Sequence, residues 1–491
     1  MKRPHEIFEE AEREKEAEEL KQILEKPQLT PEEIWSIYPA NFYKWRKKFD
    51  YPRILSHFKK KLTRFEAWQE EFEFTDDMLM DFGISNCINP NPSKDKQKFI
   101  IERTWENSIS RHISYQNIDG KYYNLGPNYV NHKVIKTFVG YIDWCNSKGI
   151  AILPERRNND LLWLHSKSGV NSPYVTVEIL DGLKLLKVGG LEVIPDAYGL
   201  IKPKYFEFVN ADYLKLSGRL ATSGQELIFE NSFIDNFICE DLDLGLVQFR
   251  SCSLRDLLIA NSDIQQWQFT ECGVNGKAYN SDLKMITSVG GSFQIDFKDC
   301  TFYEVEARAS SLQNVAYENT YRTFKKVYSD QGDDKKAIEY FLLEKDMERQ
   351  RLRLQIFNYQ PRGLFKETKK QKFINQAKHI FFTSLKYVSS WINNRYWGYG
   401  RKPIRIVTNS LVFIFLFSLL YYFAQASMNM PSHQSNMTFF DSLYYSTVTF
   451  TTLGYGDFTP LGFLRIFASV EAFLGGISLG FLVAGFSNFK Y

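Results

Sequence analysis

The residues best suited to chemistry in this sequence form one short run near its end, Thr451-Thr452-Leu453-Gly454-Tyr455-Gly456-Asp457. The glycines at positions 454 and 456 allow a backbone that alternates between left-handed and right-handed conformations. Such a backbone can turn successive carbonyl oxygens to one side, where they replace the water around a cation. Non-helical backbone survives at membrane depth only where it is buried in protein or lines a pore. We therefore expect an ion-binding segment here.

Two apolar stretches flank this run. Residues 404–426 contain no acid and one base, Arg405. A helix of that length spans about 34 Å at ~1.5 Å per residue, enough to cross a hydrocarbon core of ~30 Å. Residues 461–486 form a second candidate span, with Arg465 near its start and Glu471 inside. An acid at membrane depth is costly, so we expect Glu471 to face protein or water rather than lipid.

Between the two stretches, residues 439–450 form an amphipathic segment too short to cross a membrane, and the run Thr451–Asp457 follows it directly. This arrangement resembles the two-transmembrane potassium-channel family, whose filter reads Thr-Val-Gly-Tyr-Gly. The resemblance implies a re-entrant filter loop, a homotetramer with one loop from each chain, and K⁺ as the permeant ion rather than a cofactor. It assigns the ion-selectivity filter to Thr452, Leu453, Gly454, Tyr455, Gly456 and Asp457, with K⁺ held by the backbone carbonyls of the first four.

Three features of this region concern the fit to that family. Leu453 replaces the family's valine, but its carbonyl would face the ion, so selectivity should survive. Asp457 would lie at the outer mouth and bind back to the short helix through Tyr444 or Tyr445. Val448 stands where some relatives carry a glutamate, which leaves the support of the filter open.

Gly475 and Gly476 lie in the second candidate span. In the family, a glycine near this place lets the inner helix bend, so the resemblance implies a gating hinge. Close packing of a neighbouring helix against small residues explains the pair equally well, and both interpretations stay open. No segment carries arginine at every third position, so we expect no intrinsic voltage sensor. Because the sequence ends at Tyr491, we expect the sensing domains to precede the first span.

Basic residues crowd the stretch before the first span, residues 362–405, in which Glu367 is the single acid. Apolar residues recur at helical spacing from Phe373 to Ile392, which predicts a basic amphipathic helix at the bilayer surface, in contact with anionic lipid. Packing against a soluble domain is the alternative. The loop between the spans has no Lys or Arg before Arg465, so the positive-inside rule predicts a multi-pass protein of the plasma or inner membrane with both termini in the cytoplasm.

A repeat occupies the middle of the chain. Every fifth residue from Phe229 to Val274 is apolar, and the residues two before each of these are apolar or small. A period of five fits neither a helix nor a strand and indicates a solenoid. The pattern resembles the pentapeptide-repeat family, a right-handed β-helix with four repeats per coil, over residues 203–308, with a shift in phase near each end. Polar residues in between, such as Glu230, should face solvent, and the solenoid should serve as a spacer or assembly platform.

These features predict a multidomain chain with an N-terminal α/mixed region, a β-helix, a helical hairpin and a two-helix transmembrane pore domain with a re-entrant filter loop. The predicted boundaries are 1–82 for an N-terminal helical region, 83–200 for a mixed α/β region of unassigned fold, 201–310 for the β-solenoid, 311–358 for the helical hairpin, 359–403 for the interfacial linker and 404–491 for the pore domain.

The composition of the chain argues against several classes of function. The net charge of +3 over 491 residues argues against a nucleic-acid binder. The six cysteines lack the spacing of a zinc site, the seven histidines are scattered, and no catalytic constellation occurs, so neither an enzyme nor a cofactor is expected. The predicted function is a tetrameric potassium channel, gated or scaffolded by a cytoplasmic solenoid, with the gating ligand or partner left open. The alternative is a non-conducting membrane receptor or binding module that uses the solenoid as an interaction platform.

Overall fold

The structure is a computed structural model that describes residues 4–88, 97–105, 108–116, 132–153, 179–194, 202, 205–219, 226–308, 317–357, 369–430 and 436–487. The chain divides into two compact units, Met1–Gln331 and Gly332–Tyr491. The helices of the first unit are α1 (Pro4–Ile23), α2 (Pro31–Ser36), α3 (Pro39–Trp45), α4 (Tyr51–Lys61), α5 (Phe65–Phe72), α6 (Asp76–Phe82), α7 (Ile84–Ile88), α8 (Tyr141–Ser147) and α9 (Tyr317–Asp330). Those of the second unit are α10 (Asp334–Phe357), α11 (Lys369–Trp397), α12 (Ile404–Phe423), α13 (Phe439–Phe450) and α14 (Leu464–Ser487).

The N-terminal region is helical, as its sequence predicts. Helix α2 begins with a capping box, in which the Thr30 hydroxyl accepts from the Glu33 amide and the Glu33 carboxylate accepts from the Thr30 amide at 2.9 Å. A π-helical turn, Arg46–Asp50, joins α3 to α4. The core of the region is largely aromatic and includes Phe58 and Trp68, both 0% exposed. Large rings fill this core because short helices offer few positions each for burial.

The region without an assigned fold contains a small antiparallel sheet. Its strands are β1 (Gln97–Trp105), β2 (Ser108–Gln116) and β3 (His132–Thr137), in the order β2-β1-β3. Helix α8 follows and packs into the same aromatic core through Tyr141 and Trp144. The sequence pattern of this region does not indicate a fold, because turn residues interrupt its strand and helix segments.

The middle of the chain is a solenoid of parallel strands. Its strands are β4 (Leu186–Lys187), β5 (Glu192–Val193), β6 (Tyr205–Glu207), β7 (Val209–Asn210), β8 (Lys215–Arg219), β9 (Leu227–Glu230), β10 (Ile238–Gly245), β11 (Val247–Arg250), β12 (Ser253–Ala260), β13 (Asp263–Gln265), β14 (Gln268–Thr270), β15 (Gly273–Tyr279), β16 (Asp282–Lys284), β17 (Thr287–Val289), β18 (Ser292–Lys298), β19 (Thr301–Tyr303) and β20 (Glu306–Arg308). Strands β4 and β5 pair with β7 and β8, so the ladder takes in residues before position 201.

The strand register explains why the repeat shifts in phase. Ile238 pairs with Leu258, twenty residues on, which is four five-residue repeats. Toward the C-terminal end Asp263 pairs with Asp282, so that coil is one residue shorter. At the other end, Tyr205 pairs with Ile228, a coil three residues longer. Each change of coil length moves the apolar positions to a new phase while the ladder continues.

The corners of the coils recur with the same period. Nine successive corner residues at five-residue spacing have φ between +47° and +58°. They are Asn231, Asn236, Asp241, Leu246, Ser251, Asp256, Asn261, Gln266 and Glu271. Asn and Asp fill most of them because their short polar side chains tolerate the left-handed conformation best. The corners turn the chain and leave the straight segments free to pair.

The predicted inward positions form the core of the solenoid. All ten residues from Phe229 to Val274 at five-residue spacing, and the ten residues two before them, are buried. Phe206, Phe229, Phe249 and Phe269 stack in one column, with ring centroids 5.0 to 5.7 Å apart. Burial raises the pKa of the Cys239 thiol in this core, so it stays a neutral thiol.

One expectation about the solenoid is wrong. Glu230 does not face solvent but is 3% exposed. The Tyr205 hydroxyl donates to Glu230 Oε2 at 3.0 Å, and Arg250 lies 3.8 Å from the same oxygen. The side chain is enclosed by these residues of the neighbouring coils, which a repeat period alone does not reveal.

Both ends of the solenoid are covered within the first unit. At the start, Trp35 and Phe42 pack on Phe206, with ring centroids 5.0 and 5.7 Å away. At the far end α9 lies on the last coils, where the Tyr317 hydroxyl lies 3.1 Å from the carbonyl oxygens of Ser288 and Gly290. The two helices of the predicted hairpin both form, but α9 packs on the solenoid and α10 packs on α11.

The second unit contains α10 to α14. Helices α10 and α11 pack side by side, and α12, α13 and α14 form a bundle. A two-residue ladder joins β21 (Met428–Asn429) to β22 (Thr459–Pro460), between the ends of these helices. The predicted limits of the short helix, residues 439 and 450, agree with those of α13.

Candidate functional site

Helices α12 and α14 are long and apolar enough to cross a membrane, at 20 and 24 residues. Most of their side chains lie outside the packed interior of the unit, because only 17% of each apolar window is buried. Core helices of a soluble domain would be mostly buried. The two helices therefore present apolar surface suited to lipid or to neighbouring chains.

Helix α13 lies between these two helices and is anchored at both ends. At its start the Thr438 amide donates to the Asp441 carboxylate at 2.9 Å, and the Asp441 amide donates back to the Thr438 hydroxyl at 3.2 Å. At its end the carbonyl of Phe450 lies against Gly475 of α14, where an added Cβ would come within 1.7 Å of the oxygen. Only glycine permits this close approach, so Gly475 has a packing role.

Gly476 differs from its neighbour. An added Cβ at Gly476 would meet no atom within 4 Å, and α14 continues as one helix through both glycines. The packing interpretation thus applies to Gly475, while the hinge role of Gly476 stays a prediction.

The segment after α13 has the alternating backbone that the sequence predicts. Thr452, Gly454 and Gly456 have φ of +60°, +56° and +80°, and the residues between them do not adopt positive φ. The amide of Leu453 donates to the carbonyl of Val448 at 2.9 Å, which fixes the start of the segment on α13. Thr452 adopts the left-handed conformation without being glycine, so its residue type does not signal this conformation.

The far end of the segment returns to α13. The Tyr444 hydroxyl lies near the Asp457 carboxylate, and the amide of Phe458 donates to Asp457 Oδ1 at 3.1 Å. Tyr445 instead packs its ring against Tyr421 and Phe458, with centroids 4.8 and 6.4 Å away. Of the two tyrosines expected as partners from the sequence, Tyr444 is the one near Asp457, and its support of the filter stays a prediction.

Glu471 is fully buried behind α13, at 0% exposure. The Tyr421 hydroxyl of α12 lies 2.7 Å from Glu471 Oε2, and the Ser446 hydroxyl of α13 contacts Glu471 Oε1. The expectation that this acid faces protein or water rather than lipid is confirmed. Its partners were not predicted, because residues 50 and 25 positions away in sequence give no local signal.

The C-terminal end of α11 contacts both long apolar helices. The Tyr396 hydroxyl is hydrogen-bonded to the Ser478 hydroxyl of α14, and the rings of Trp397 and Phe481 lie 4.5 Å apart. On the other helix, Asn409 of α12 donates to the carbonyl of Tyr396 at 3.0 Å. A displacement of α11 would therefore act on both helices at once.

The rest of α11 exposes a basic and apolar surface. Its exposed apolar residues are Phe373, Ile374, Phe381, Phe382, Leu385, Val388, Trp391 and Ile392. A cleft of about 1050 Å³ lies between α10 and α11 and includes Arg351, His379 and Lys386 in its lining. Exposed rings interspersed with bases are typical of a helix at a membrane interface.

Two long apolar helices, a short helix between them and an extended loop with alternating backbone define a membrane-embedded ion-channel domain. Residues 410–490 match the family model described as Ion channel, which covers most of α12 and all of α13, the loop and α14. No curated protein matches the chain. The C-terminal part of this chain is thus an ion-channel domain, preceded by a β-solenoid compatible with pentapeptide repeats.

Proposed function

We propose that the chain is a potassium-selective channel in which four copies surround one pore. The observation that carries the proposal is the alternation of positive φ at Thr452, Gly454 and Gly456 within a loop between two membrane helices. That alternation suits a row of carbonyl oxygens directed to one side, the arrangement that replaces the hydration shell of K⁺. The carbonyls of Thr452, Leu453, Gly454 and Tyr455 would hold the ion, and no resident cofactor is needed.

The exposure of this loop supports a tetramer. In the single chain Leu453 is 62% and Tyr455 is 69% exposed, although both follow a helix that lies between membrane spans. An apolar side chain and a non-helical backbone at that depth need protein or a water-filled pore around them. Three neighbouring copies would cover the side chains and close the ring of carbonyls around a central axis.

Gating is proposed to reach the pore through α11. Tyr396 and Trp397 contact α14, and Asn409 of α12 bonds to the same turn of α11. Anionic lipid would bind the bases of α11, since each charge near an acidic surface contributes about 1 kcal/mol. Any ligand or partner that prefers one position of α11 would shift opening in proportion to that preference. The termini are proposed to lie in the cytoplasm of a plasma or inner membrane.

Purified full-length protein in liposomes tests this function. We expect K⁺ flux that strongly exceeds Na⁺ flux, and a native mass of four 57.6 kDa chains. Equal fluxes of the two ions would contradict the filter assignment. A tetramer that passes neither ion, with or without anionic lipid, would favour a non-conducting receptor that uses the solenoid as an interaction platform.

A further inference from the structure

The carboxyl group of Glu471 connects three helices inside the channel domain. Glu471 belongs to α14, Tyr421 to α12 and Ser446 to α13, and the two hydroxyls meet one carboxyl oxygen each. All three side chains are buried, at 0% exposure. The cluster therefore makes its hydrogen bonds internally, out of contact with bulk water.

The hydrogen atoms available to this cluster determine its charge. Ser446 has one hydroxyl hydrogen but two close oxygen neighbours, Glu471 Oε1 and the carbonyl oxygen of Ile414 at 2.9 Å. A carbonyl oxygen only accepts, and so does an ionised carboxylate. With an ionised Glu471, one of these two contacts would bring acceptors together with no hydrogen between them. An unpaired contact of that kind is expensive in a buried site.

A protonated Glu471 supplies the missing hydrogen. Its Oε1 donates to Ser446 Oγ, the Ser446 hydroxyl donates to the carbonyl of Ile414, and the Tyr421 hydroxyl donates to Oε2. Every donor then has an acceptor, and no acceptor faces another. The result is an uninterrupted chain of hydrogen bonds across the three helices.

The surroundings of Glu471 offer no positive charge to stabilise an ionised form. The polar side chains that face it are Tyr421 and Ser446, and Tyr445 packs its ring on Tyr421 at 4.8 Å. Within the described residues, no Lys, Arg or His pairs with Glu471. Arg465, the one base of α14, is exposed and donates to the carbonyl of Pro460 at 3.2 Å. A bare carboxylate enclosed in this way would be strongly destabilised.

We propose that Glu471 is a neutral carboxylic acid and a positioning residue of the filter, which rests on the proposed channel function. Its hydrogen bond holds Ser446, and Ser446 lies on the same helix as Val448, whose carbonyl accepts from Leu453 at the start of the filter. Loss of the proton would remove the donor to Ser446 and loosen α13 from both neighbouring helices. Ion conduction should then fall as pH rises, because the neutral form is the low-pH form.

The Glu471→Gln variant distinguishes a neutral Glu471 from an ionised one. The Glu471→Gln side chain can donate from its amide nitrogen to Ser446 and accept from Tyr421 at its oxygen, so it reproduces the hydrogen bonds of the neutral acid. It cannot reproduce those of a carboxylate. Glu471→Ala removes both bonds and leaves a cavity.

The first measurement is an infrared spectrum of the purified full-length protein at neutral pH. Subtraction of the Glu471→Gln spectrum from the wild-type spectrum should leave the C=O stretching band of a protonated carboxylic acid. A pair of carboxylate bands in its place would overturn the proposal. Since this measurement needs no conduction, it decides the protonation state even if the channel function itself proves wrong.

The second measurement is K⁺ flux in liposomes. We expect Glu471→Ala to lower the flux about tenfold and Glu471→Gln to restore it. Raising the pH should lower the flux of the wild type and leave that of Glu471→Gln unchanged, because glutamine does not titrate. A glutamine variant as impaired as the alanine variant, or a shared pH profile for wild type and Glu471→Gln, would overturn the positioning role.

Discussion

The ring of Trp397, the last residue of α11, lies 4.5 Å from the ring of Phe481 on α14. One turn of α11 thus meets the helix that would line the proposed pore, and the neighbouring Tyr396 adds a hydrogen bond to Ser478. Aromatic contact and hydrogen bond together resist separation of the two helices. This junction is where a movement of α11 would reach the proposed ion pathway.

A double-mutant cycle tests this coupling. Tyr396→Phe and Ser478→Ala each remove the same hydrogen bond, so the effect of the double variant on channel opening should be smaller than the sum of the two single effects. We expect a coupling of about 0.5–3 kcal/mol, measured from open probability in single-channel recordings.

Ser487 provides the control for that cycle. It lies on the same helix, but its hydroxyl donates to the carbonyl of Ala484 within α14. Tyr396→Phe combined with Ser487→Ala should therefore be additive. Additivity in both cycles would show that α11 does not act on opening through Ser478.

The alternating backbone of the filter is tested by a pair of glycines. Gly454 and Gly462 have φ of +56° and +53°, and an added Cβ would meet no atom within 4 Å at either position. Alanine should therefore impose a similar backbone strain of about 1–2 kcal/mol at each. Only Gly454→Ala should reduce the ratio of K⁺ to Na⁺ flux in liposomes, because Gly462 lies outside the filter. Equal loss of selectivity in both variants would contradict the assignment.

The contact between α13 and α14 is tested by a second pair. In Gly475→Ala the new methyl group would overlap the carbonyl of Phe450, whereas in Gly480→Ala it would meet no atom within 4 Å. We expect Gly475→Ala to destabilise the channel domain by about 1–3 kcal/mol through overpacking. Thermal unfolding followed by near-ultraviolet circular dichroism measures the difference. A lower midpoint for Gly480→Ala than for Gly475→Ala would be inconsistent with this packing.

Two neighbouring residues of β14 test the solenoid core. Phe269 is 2% exposed and stacks on Phe249, whereas Gln268 points outward and is exposed. Phe269→Asp should cost several kcal/mol because it buries an unpaired charge, and Gln268→Asp should change stability by less than about 0.5 kcal/mol. Chemical denaturation of the full-length protein would show this contrast. Similar losses at both positions would argue that the strand is not half-buried.

The sequence predicted the elements whose signal is local. The limits of α13 follow from the amphipathic pattern of residues 439–450 and from the start of the glycine-containing run. The solenoid core follows from a five-residue period that is repeated many times. A single polar residue at one of its positions does not obscure this period. The two long helices follow from length and composition alone.

The sequence did not predict features that depend on distant parts of the chain. Glu230 is enclosed by Tyr205 and Arg250 of the neighbouring coils, so its own repeat position gave the wrong side. The partners of Glu471 come from two other helices, and α9 packs on solenoid strands that give no local signal of this contact. Such contacts depend on tertiary packing, which neither propensity nor periodicity encodes.

The covers at both ends of the solenoid have a consequence for assembly. A stack of parallel strands with open ends would present unpaired amides and carbonyls that recruit further strands, end to end. Here Trp35 and Phe42 lie over the first phenylalanine of the column, and α9 lies over the last coils. If four chains share one pore, their solenoids are held at a high local concentration. Because both ends of each solenoid are covered, four neighbouring solenoids would not pair their strands end to end into a fibre.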